Sequence, residues 1–272
     1  MIRRITSTTA SVIRATGTDA PNYLQGQCSA DLTKTNKVHA LWLNRKGRVI
    51  AHTLIIKEAD HSFLILCPHL SAIDIISVMS SNLIADDVTL SDETSQWKTG
   101  IVWGDAAPNF ESAIRFWPSA RTSFESWVVL FPQNIPITAS ESDVSFIEQN
   151  RIESGIPSAP EDCGANEFPQ ECGLDDWVSY NKGCYLGQEV MARIQSMGAL
   201  RRSLRLISAT QPLRSDIELK SSVNGKIVGT MKSFSGKTGL ALVSIDYAEG
   251  ATLDSVIGPI TVGRLAKLPQ YS

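Results

Sequence analysis

The chain has 272 residues, of which 43% are hydrophobic and 19% charged, and this balance excludes a disordered chain. Its 25 Lys and Arg residues against 28 Asp and Glu residues give a net charge of −3, so any site for a polyanion must be local. The apolar runs are too short for a membrane-spanning helix, and five cysteines without a CxxC spacing argue against a disulfide framework and a structural zinc site. These features predict a soluble protein of a reducing compartment such as the cytoplasm.

The N-terminal segment is open to two interpretations. Residues 1–17 are basic, rich in Ser and Thr and free of acids, which superficially suits a transit peptide. The alternation over residues 9–16 has the period of a half-buried strand, and we favour a β-strand there. A short helix is predicted next, capped by Thr18 or Asp19 and ending at Gly26.

The segment up to residue 90 alternates strands with one helix, which predicts an α+β unit. A polar, basic turn at residues 44–47 joins two of the strands, and Gly47 supplies the positive φ that such a turn favours. The predicted strands are residues 38–43, 49–56, 63–66 and 88–90, and the predicted helix is residues 71–80.

The middle of the chain is less regular. Residues 91–139 predict only strands and loops, and a second helix over residues 143–154 is terminated by Gly155 and Pro157. The next 25 residues, 158–182, have few periodic features. A loop of this length inside a compact chain is usually functional or disordered, and its aromatic residues favour a functional loop.

Beyond about residue 205 the sequence is typical of an all-β domain. Asn224 and Gly225 predict a type I′ hairpin, in which both central residues take positive φ, and further strands are predicted at residues 241–245 and 260–265. The predicted domains are an α+β body of residues 1–203, with an uncertain internal boundary, and an antiparallel β-barrel of residues 204–272.

Cys184 stands in the most informative segment of the chain. Helical spacing after it predicts a helix that begins near Leu186 or Gly187, so that Cys184 lies just before an N-terminus. Unpaired backbone N–H groups, the helix dipole and the nearby Lys182 would favour the thiolate, which makes a cysteine a nucleophile or a soft metal ligand. A buried structural cysteine is the alternative that these neighbours leave open.

The octapeptide Lys-Gly-Cys-Tyr-x-Gly-Gln-Glu at residues 182–189 resembles the signature of the YgfZ/GcvT-like folate-binding family. Members of this family are relatives of the glycine-cleavage aminomethyltransferase and act in iron–sulfur protein maintenance. Further segments that resemble family landmarks are residues 24–27 with Asp31, 44–48, 151–157, 168–171 and Arg193.

The resemblance implies an α+β fold in a three-domain, ring-like arrangement around a central tetrahydrofolate groove, with the antiparallel barrel closing one side. It implies that Glu171 anchors the pterin, because a carboxylate can accept two adjacent N–H groups. Trp42 is a further candidate for an aromatic wall, and Arg201 for a partner of the glutamate tail. The implied cofactor contacts are Glu171, Tyr185, Gln188, Glu189, Arg193 and Trp177. The implied functional thiol is Cys184 with Lys182 beside it, and no metal site is predicted.

One departure from the family bears on the reaction. Where the aminomethyltransferases carry an acidic pair after the glycine of their second hairpin, this chain has Ala51 and His52. Without a carboxylate at the reacting amine, glycine cleavage is not expected. His52 could serve as a substitute base, although a histidine on a strand is more often structural.

Three functions are therefore compared. The first is a tetrahydrofolate-binding accessory protein whose partners are iron–sulfur proteins or their assembly machinery, in the cytoplasm or, in a eukaryote, the mitochondrial matrix. The second is a folate-dependent one-carbon transferase that uses His52. The third is a tRNA-interaction module that uses the basic residues Arg201 and Arg202. A stably bound cluster is not expected, because the spacing of Cys163, Cys172 and Cys184 matches no compact cluster motif.

Overall fold

The computed structural model describes residues 2–104, 114–135, 140–198 and 200–269, so parts of the stretch 91–139 lie outside the described residues. The chain divides into two compact units. The first unit comprises Met1–Ser119, Glu125–Val144 and Trp177–Ala192, and the second comprises Ala120–Phe124, Ser145–Asp176 and Arg193–Ser272. The domain boundary expected between residues 203 and 204 stays a prediction.

The first unit is built on two five-stranded sheets. Its elements are β1 (Ile2–Thr8), β2 (Ser11–Thr16), α1 (Ala20–Gln27), β3 (Lys37–Leu43), β4 (Val49–Ala59), β5 (Ser62–Cys67), α2 (Ala72–Ser80), β6 (Thr89–Asp92), β7 (Trp97–Gly104), β8 (Arg115–Pro118), β9 (Ser126–Pro132) and β10 (Ser140–Glu141). The strand orders are β10-β1-β7-β9-β8 and β3-β4-β5-β2-β6. All pairings are antiparallel except that of β1 with β10.

The cores of this unit follow from the alternation of its strands. One cluster joins aliphatic side chains such as Leu54 and Leu66 of one sheet to Trp117 and Leu130 of the other. The opposite face of the β3–β6 sheet packs under both helices, where Ile75 and other apolar residues are fully buried. The helices are thus held by burial of one apolar face.

Most elements predicted for this unit are confirmed within a few residues. The hairpin over residues 38–56 has its turn at Gly47, whose φ is +72°. The strand predicted at residues 9–16 corresponds to β2. β1 was not predicted, because its sequence, IRRITST, has only two apolar residues and no clear period.

The second unit combines α3 (Val144–Glu153), the irregular segment and a closed six-stranded antiparallel barrel. Two short 3-10 helices, Pro169–Cys172 and Asp175–Trp177, follow in the irregular segment, and α4 is Gln188–Met197. The barrel strands are β11 (Arg202–Ala209), β12 (Glu218–Ser221), β13 (Ile227–Ser235), β14 (Thr238–Ser244), β15 (Thr252–Asp254) and β16 (Ile260–Leu265). Their inward side chains form one apolar cluster.

The predicted type I′ turn at Asn224 and Gly225 is wrong. Of the described residues, only glycines have positive φ, so Gly225 takes +70° whereas Asn224 does not. The loop is wider: the Gly225 N–H donates to the Ser221 carbonyl, and the Asn224 side chain accepts from the Lys226 N–H. The asparagine side chain therefore stabilises the turn in place of a left-handed backbone.

Arg151 is the largest fully buried side chain and organises the second unit. Its guanidinium donates to Oδ2 of Asp162 at 2.6 Å, to the Ile156 carbonyl at 2.8 Å and to Oγ of Ser233 at 2.8 Å. Asp162 also accepts from the backbone N–H groups of Ser158 and Ser233. The pair therefore ties the helix, the irregular segment and the barrel together.

Loss of Asp162 should leave Arg151 without its fully buried counter-charge, with only the more exposed Glu148 carboxylate still paired to it. We expect Asp162→Asn to lower the free energy of unfolding by about 3–5 kcal/mol, measured by urea titration. Glu148→Gln removes a carboxylate from the same arginine, but that side chain is 37% exposed, so its cost should stay below about 1 kcal/mol. Equal costs for the two variants would contradict the assignment.

His39 and His52 face each other on neighbouring strands of the first unit. Nδ1 of His39 lies 2.9 Å from Nε2 of His52, and a ring N–H of His39 donates to the Pro118 carbonyl. The two facing nitrogens share one proton, so one ring donates to the other. Burial lowers the pKa of His39 to about 4, so its ring is neutral in the folded chain near neutral pH.

Acid is expected to destabilise the chain through His39. The unfolded chain binds this proton near the ordinary value of about 6.5, whereas the folded chain binds it only near 4, so stability falls as the pH falls between these values. The total loss is at most about 3.4 kcal/mol, since the two pKa values differ by about 2.5 units at 1.36 kcal/mol per unit. His39→Gln should flatten this part of the pH dependence of urea unfolding, whereas substitution of the exposed His61 by Gln should not. An unchanged slope in His39→Gln would refute the assignment.

Candidate functional site

Lys182 fixes the start of the octapeptide loop. Its buried ammonium donates to three backbone carbonyls, at 2.6 Å to Gln25, 2.7 Å to Cys28 and 2.6 Å to Ala30. These contacts use all three N–H donors of the side chain. Burial lowers the pKa of Lys182, and the polar groups of Cys28 and Asp31 act against that shift. Lys182 thus holds the backbone between α1 and β3, which differs from its predicted position as the cation beside Cys184.

Two glycines hold the end of the loop against the β3–β4 turn. Gly187 has φ of +85°, and a Cβ there would lie 2.8 Å from the Asn44 carbonyl oxygen. A Cβ at Gly47 would lie 2.6 Å from Cε of Met191. Only glycine allows this approach and this backbone conformation. Because the left-handed residue interrupts helical geometry, α4 begins at Gln188, within one or two residues of the start predicted near Leu186 or Gly187.

Cys184 lies at the exposed tip between these two fixed ends. The other four cysteines, all in the described part of the chain, are buried. Three residues separate Cys184 from the start of α4 at Gln188, so the thiol lies shortly before the helix, as predicted. The Leu186 N–H donates to the Gly26 carbonyl, and Nε2 of Gln188 donates to the Lys182 carbonyl. The thiol that solvent and partners can reach is therefore presented on a braced loop.

Tyr185 is buried beneath the loop. The Lys182 ammonium lies 4.8 Å from the centre of its ring, and burial raises the pKa of its phenol. Its hydroxyl is buried and has no hydrogen-bond partner among the described residues. Tyr185 therefore offers a ligand a neutral hydroxyl donor rather than an open aromatic face.

Trp177 is stacked on the histidine pair. Its ring centre lies 4.2 Å from that of His52, with an interplanar angle of 6°, and 5.0 Å from that of His39. Its carbonyl accepts from Oγ of Ser29 at 2.6 Å. The imidazoles therefore cover one face of the indole, which limits its predicted use as a pterin wall. Trp42 is a core residue whose Nε1 donates to Thr53.

The histidine pair also limits His52 as a base. Its Nε2 is engaged with Nδ1 of His39, and its ring is stacked on Trp177. These contacts restrain the ring that stands beside Ala51 in place of the transferase acids.

Glu171 occupies the buried end of a 3-10 turn in the second unit. Its Oε1 accepts from Nε of Arg202 at 2.8 Å, and its Oε2 accepts from the Phe168 N–H at 2.9 Å and from Arg202 at 3.3 Å. A carboxylate offers about four acceptor directions, so these contacts leave little free capacity. The pairing also occupies Arg202, which was predicted as part of an RNA-binding group.

A cavity of about 310 Å³ adjoins Glu171 within the second unit. This volume is at the lower limit for small-molecule sites. The buried Oγ of Ser203, which lines the cavity, has no hydrogen-bond partner among the described residues. The walls that matter for ligand chemistry are Glu171, Asp175, Asp176, Ser203, Leu204 and Leu268.

The two aspartates at this cavity were not predicted as site residues. Burial raises the pKa of Asp175, and the neighbouring Asp176 carboxylate raises it further. The sequence feature that could have indicated them is the pair of adjacent acids in the irregular segment. Adjacent acids are usually solvated, however, and the sequence does not place them at a cavity.

The remaining predicted residues are solvent-exposed. Glu189 lies in the first turn of α4, Arg193 lies further along the same helix, and Arg201 directly precedes β11. Within the described ranges, no group of three or more His, Cys, Asp or Glu side chains could hold a metal ion. Among the helices described, none is long and apolar enough to cross a membrane.

Comparison with known proteins agrees with this architecture. Residues 201–269 match the family model described as the CAF17 C-terminal beta-barrel domain. The chain is 26% identical over 251 residues to the mitochondrial iron–sulfur cluster assembly factor IBA57 homolog of Cryptococcus neoformans var. neoformans. That alignment covers 76% of this chain and 67% of the relative. The chain is also 23% identical over 255 residues to the tRNA-modifying protein YgfZ of Escherichia fergusonii, in an alignment that covers 79% of this chain and 76% of the relative.

A solved structure extends the likeness to nearly the whole chain. The glycine cleavage system aminomethyltransferase T from Bartonella henselae matches with a TM-score of 0.83 over 99% of this chain and 88% of that protein, at 12% identity. At that identity the match shows the fold alone, and it confirms a GcvT-like α+β fold that ends in an antiparallel barrel. These relatives and the barrel match agree with the resemblance of the octapeptide to the YgfZ/GcvT-like family.

Proposed function

We propose that this chain is a tetrahydrofolate-binding accessory protein of iron–sulfur cluster assembly or repair, with Cys184 as its functional thiol. The names of the relatives support this role, since one is an iron–sulfur cluster assembly factor and another a tRNA-modifying protein. The partners are iron–sulfur proteins or their assembly machinery, and tRNA modification depends on the chain through such partners. Its place of action is the cytoplasm or, in a eukaryotic cell, the mitochondrial matrix.

The presentation of Cys184 is the observation that carries the proposal. Four cysteines are buried, whereas Cys184 is exposed on a loop braced by the Lys182 ammonium and the Gly187 contact. Two fixed ends reduce the number of positions the tip can take, so less ordering is needed when a partner binds. Exposure and restraint together are what a thiol needs to meet a partner protein.

The residues near Glu171 fit a pterin. The amide edge of the ring presents adjacent N–H groups that a carboxylate accepts, and the cavity beside Glu171 adds the Ser203 hydroxyl and apolar walls. Because Arg202 already donates to this carboxylate, pterin binding requires Arg202 to share or release it. Tetrahydrofolate, when bound, supplies nitrogen atoms that carry one-carbon units.

The residues of the first unit favour a protein that binds tetrahydrofolate without transferring a one-carbon unit. Ala51 and His52 replace the two transferase acids, and Nε2 of His52 is hydrogen-bonded to Nδ1 of His39. The carboxylate of β4, Glu58, is paired with Arg14 and Arg115. The transferase alternative therefore depends on a histidine that is already held by His39 and Trp177.

Tetrahydrofolate titration tests the cofactor assignment. We expect saturable binding to the purified chain and an affinity at least about tenfold weaker in Glu171→Gln, because a charge-assisted pair of hydrogen bonds is lost. Calorimetry or fluorescence quenching gives the dissociation constants.

Glu167→Gln is the matched control for this titration. Glu167 is also buried and paired, with Lys232 at 2.8 Å, but it does not line the cavity. The Glu167→Gln variant should bind tetrahydrofolate with an affinity near that of the unmodified chain. No binding to the unmodified chain, or equal losses in both variants, would refute the assignment of Glu171.

Iodoacetamide labelling and complementation test the thiol. In the native chain Cys184 should be alkylated while the four buried cysteines stay protected, as read by peptide mass spectrometry. Cys184→Ser should retain the free energy of unfolding yet fail to restore iron–sulfur enzyme activity in cells depleted of this protein. Asn181→Ser, on the same exposed stretch, should restore it. Full restoration by Cys184→Ser would show that the thiol has no function there.

A further inference from the structure

Cys163 and Cys172 form a buried thiol pair in the second unit. Both are fully buried, and Cys172 is one of the neighbours that shift the pKa of Cys163. Sγ of Cys163 donates to the Phe168 carbonyl, one 3-10 turn before Cys172, and Sγ of Cys172 donates to the Asp162 carbonyl, each at 3.5 Å. The second contact places the sulfur of Cys172 beside the peptide group between Asp162 and Cys163. The pair lies outside the octapeptide, and the proposed function does not use it.

Ion pairs fix the residues next to both cysteines. Asp162 precedes Cys163 and is bound by Arg151, and Glu171 precedes Cys172 and is bound by Arg202. After Cys172 the chain turns through Gly173, where a Cβ would lie 2.3 Å from the Ala266 carbonyl oxygen. Because both ends of the segment are held, the two sulfur atoms stay adjacent in the folded chain.

We propose that Cys163 and Cys172 are a site of reversible oxidation, at which hydrogen peroxide converts the two thiols into an intramolecular disulfide. One thiolate attacks the peroxide oxygen, breaks the O–O bond and becomes a sulfenic acid, while the peroxide is reduced to water. The second thiol then attacks the sulfenic sulfur, the S–S bond forms, and a second water leaves with the sulfenic oxygen. The disulfide inference stands independently of tetrahydrofolate binding and of Cys184.

The second thiol decides the product. A lone sulfenic acid is open to further oxidation to the sulfinic acid, whereas a neighbouring thiol captures it intramolecularly at high effective concentration. Cys28 and Cys67 are equally buried, but neither makes a thiol contact with another cysteine among the described residues. Cys163 and Cys172 are therefore the buried cysteines that we expect to form a disulfide, whereas Cys28 and Cys67 are not.

Burial makes the reaction slow in the resting chain. It raises the pKa of the Cys163 thiol, and the Cys172 thiol and the nearby Glu167 and Glu171 carboxylates raise it further. The thiolate is the reactive form, so oxidation should speed up with rising pH and with opening of the 163–172 segment. The pair is therefore reduced under mild conditions and forms the disulfide when peroxide persists.

Peptide mass spectrometry on the full chain tests the inference. Cys184→Ser is used beside the unmodified chain, to remove disulfides that join two molecules. After hydrogen peroxide treatment at about pH 8.5, near the ordinary thiol pKa, free thiols are blocked with N-ethylmaleimide in denaturant. No Lys or Arg lies between Arg151 and Lys182, so both cysteines fall in one tryptic peptide. We expect this peptide to be unlabelled and two hydrogen atoms lighter, and dithiothreitol to restore two labelling sites.

Single substitutions provide the controls. Cys163→Ser and Cys172→Ser should each abolish the mass loss and leave the other cysteine oxidised only to its acids. Cys67→Ser, which removes a buried cysteine elsewhere, should leave it intact. Two labelled thiols after prolonged peroxide, sulfinic acids in place of the disulfide, or a disulfide to Cys184 in the unmodified chain would each overturn the inference.

Discussion

The ammonium of Lys182 is the interaction on which the candidate site depends. An isolated buried ammonium is costly, and three carbonyl oxygens at 2.6–2.7 Å compensate it by meeting each of its donors. Those carbonyls belong to the segment from Gln25 to Ala30, whose Ser29 also binds the Trp177 carbonyl. One cation thus joins the end of α1, the octapeptide loop and the Trp177 segment into a rigid base for Cys184.

Sequence patterns predicted the fold well where they report burial. The alternation in β2 and the helix over residues 71–80 are confirmed, because one apolar face of each is covered. The helix over residues 143–154 is confirmed with the end that Gly155 and Pro157 predicted. The patterns could not predict contacts between residues far apart in the chain. Lys182 faces carbonyls more than 150 positions away, and Gly187 packs against the β3–β4 turn. At Asn224 the side chain replaces the positive φ that the dipeptide predicted.

The octapeptide motif predicted the surroundings of some candidate residues but not of others. It singled out Cys184, and the structure places that thiol at an exposed tip. It could not reveal that Trp177 is stacked on His52 or that Glu171 is paired with Arg202, since these partners lie on other elements. A carboxylate that already holds a guanidinium is oriented before any ligand arrives, and the ligand must then compete for it.

Closure of the barrel determines how the second unit can be recognised. Strands β11 to β16 lie wholly within described residues and hydrogen-bond in an unbroken ring, so every strand has two neighbours. An incoming peptide cannot extend this sheet by adding a strand of its own, and the barrel offers no template for aggregation through backbone pairing. Selectivity on this part of the surface must therefore come from side chains and from the connecting loops.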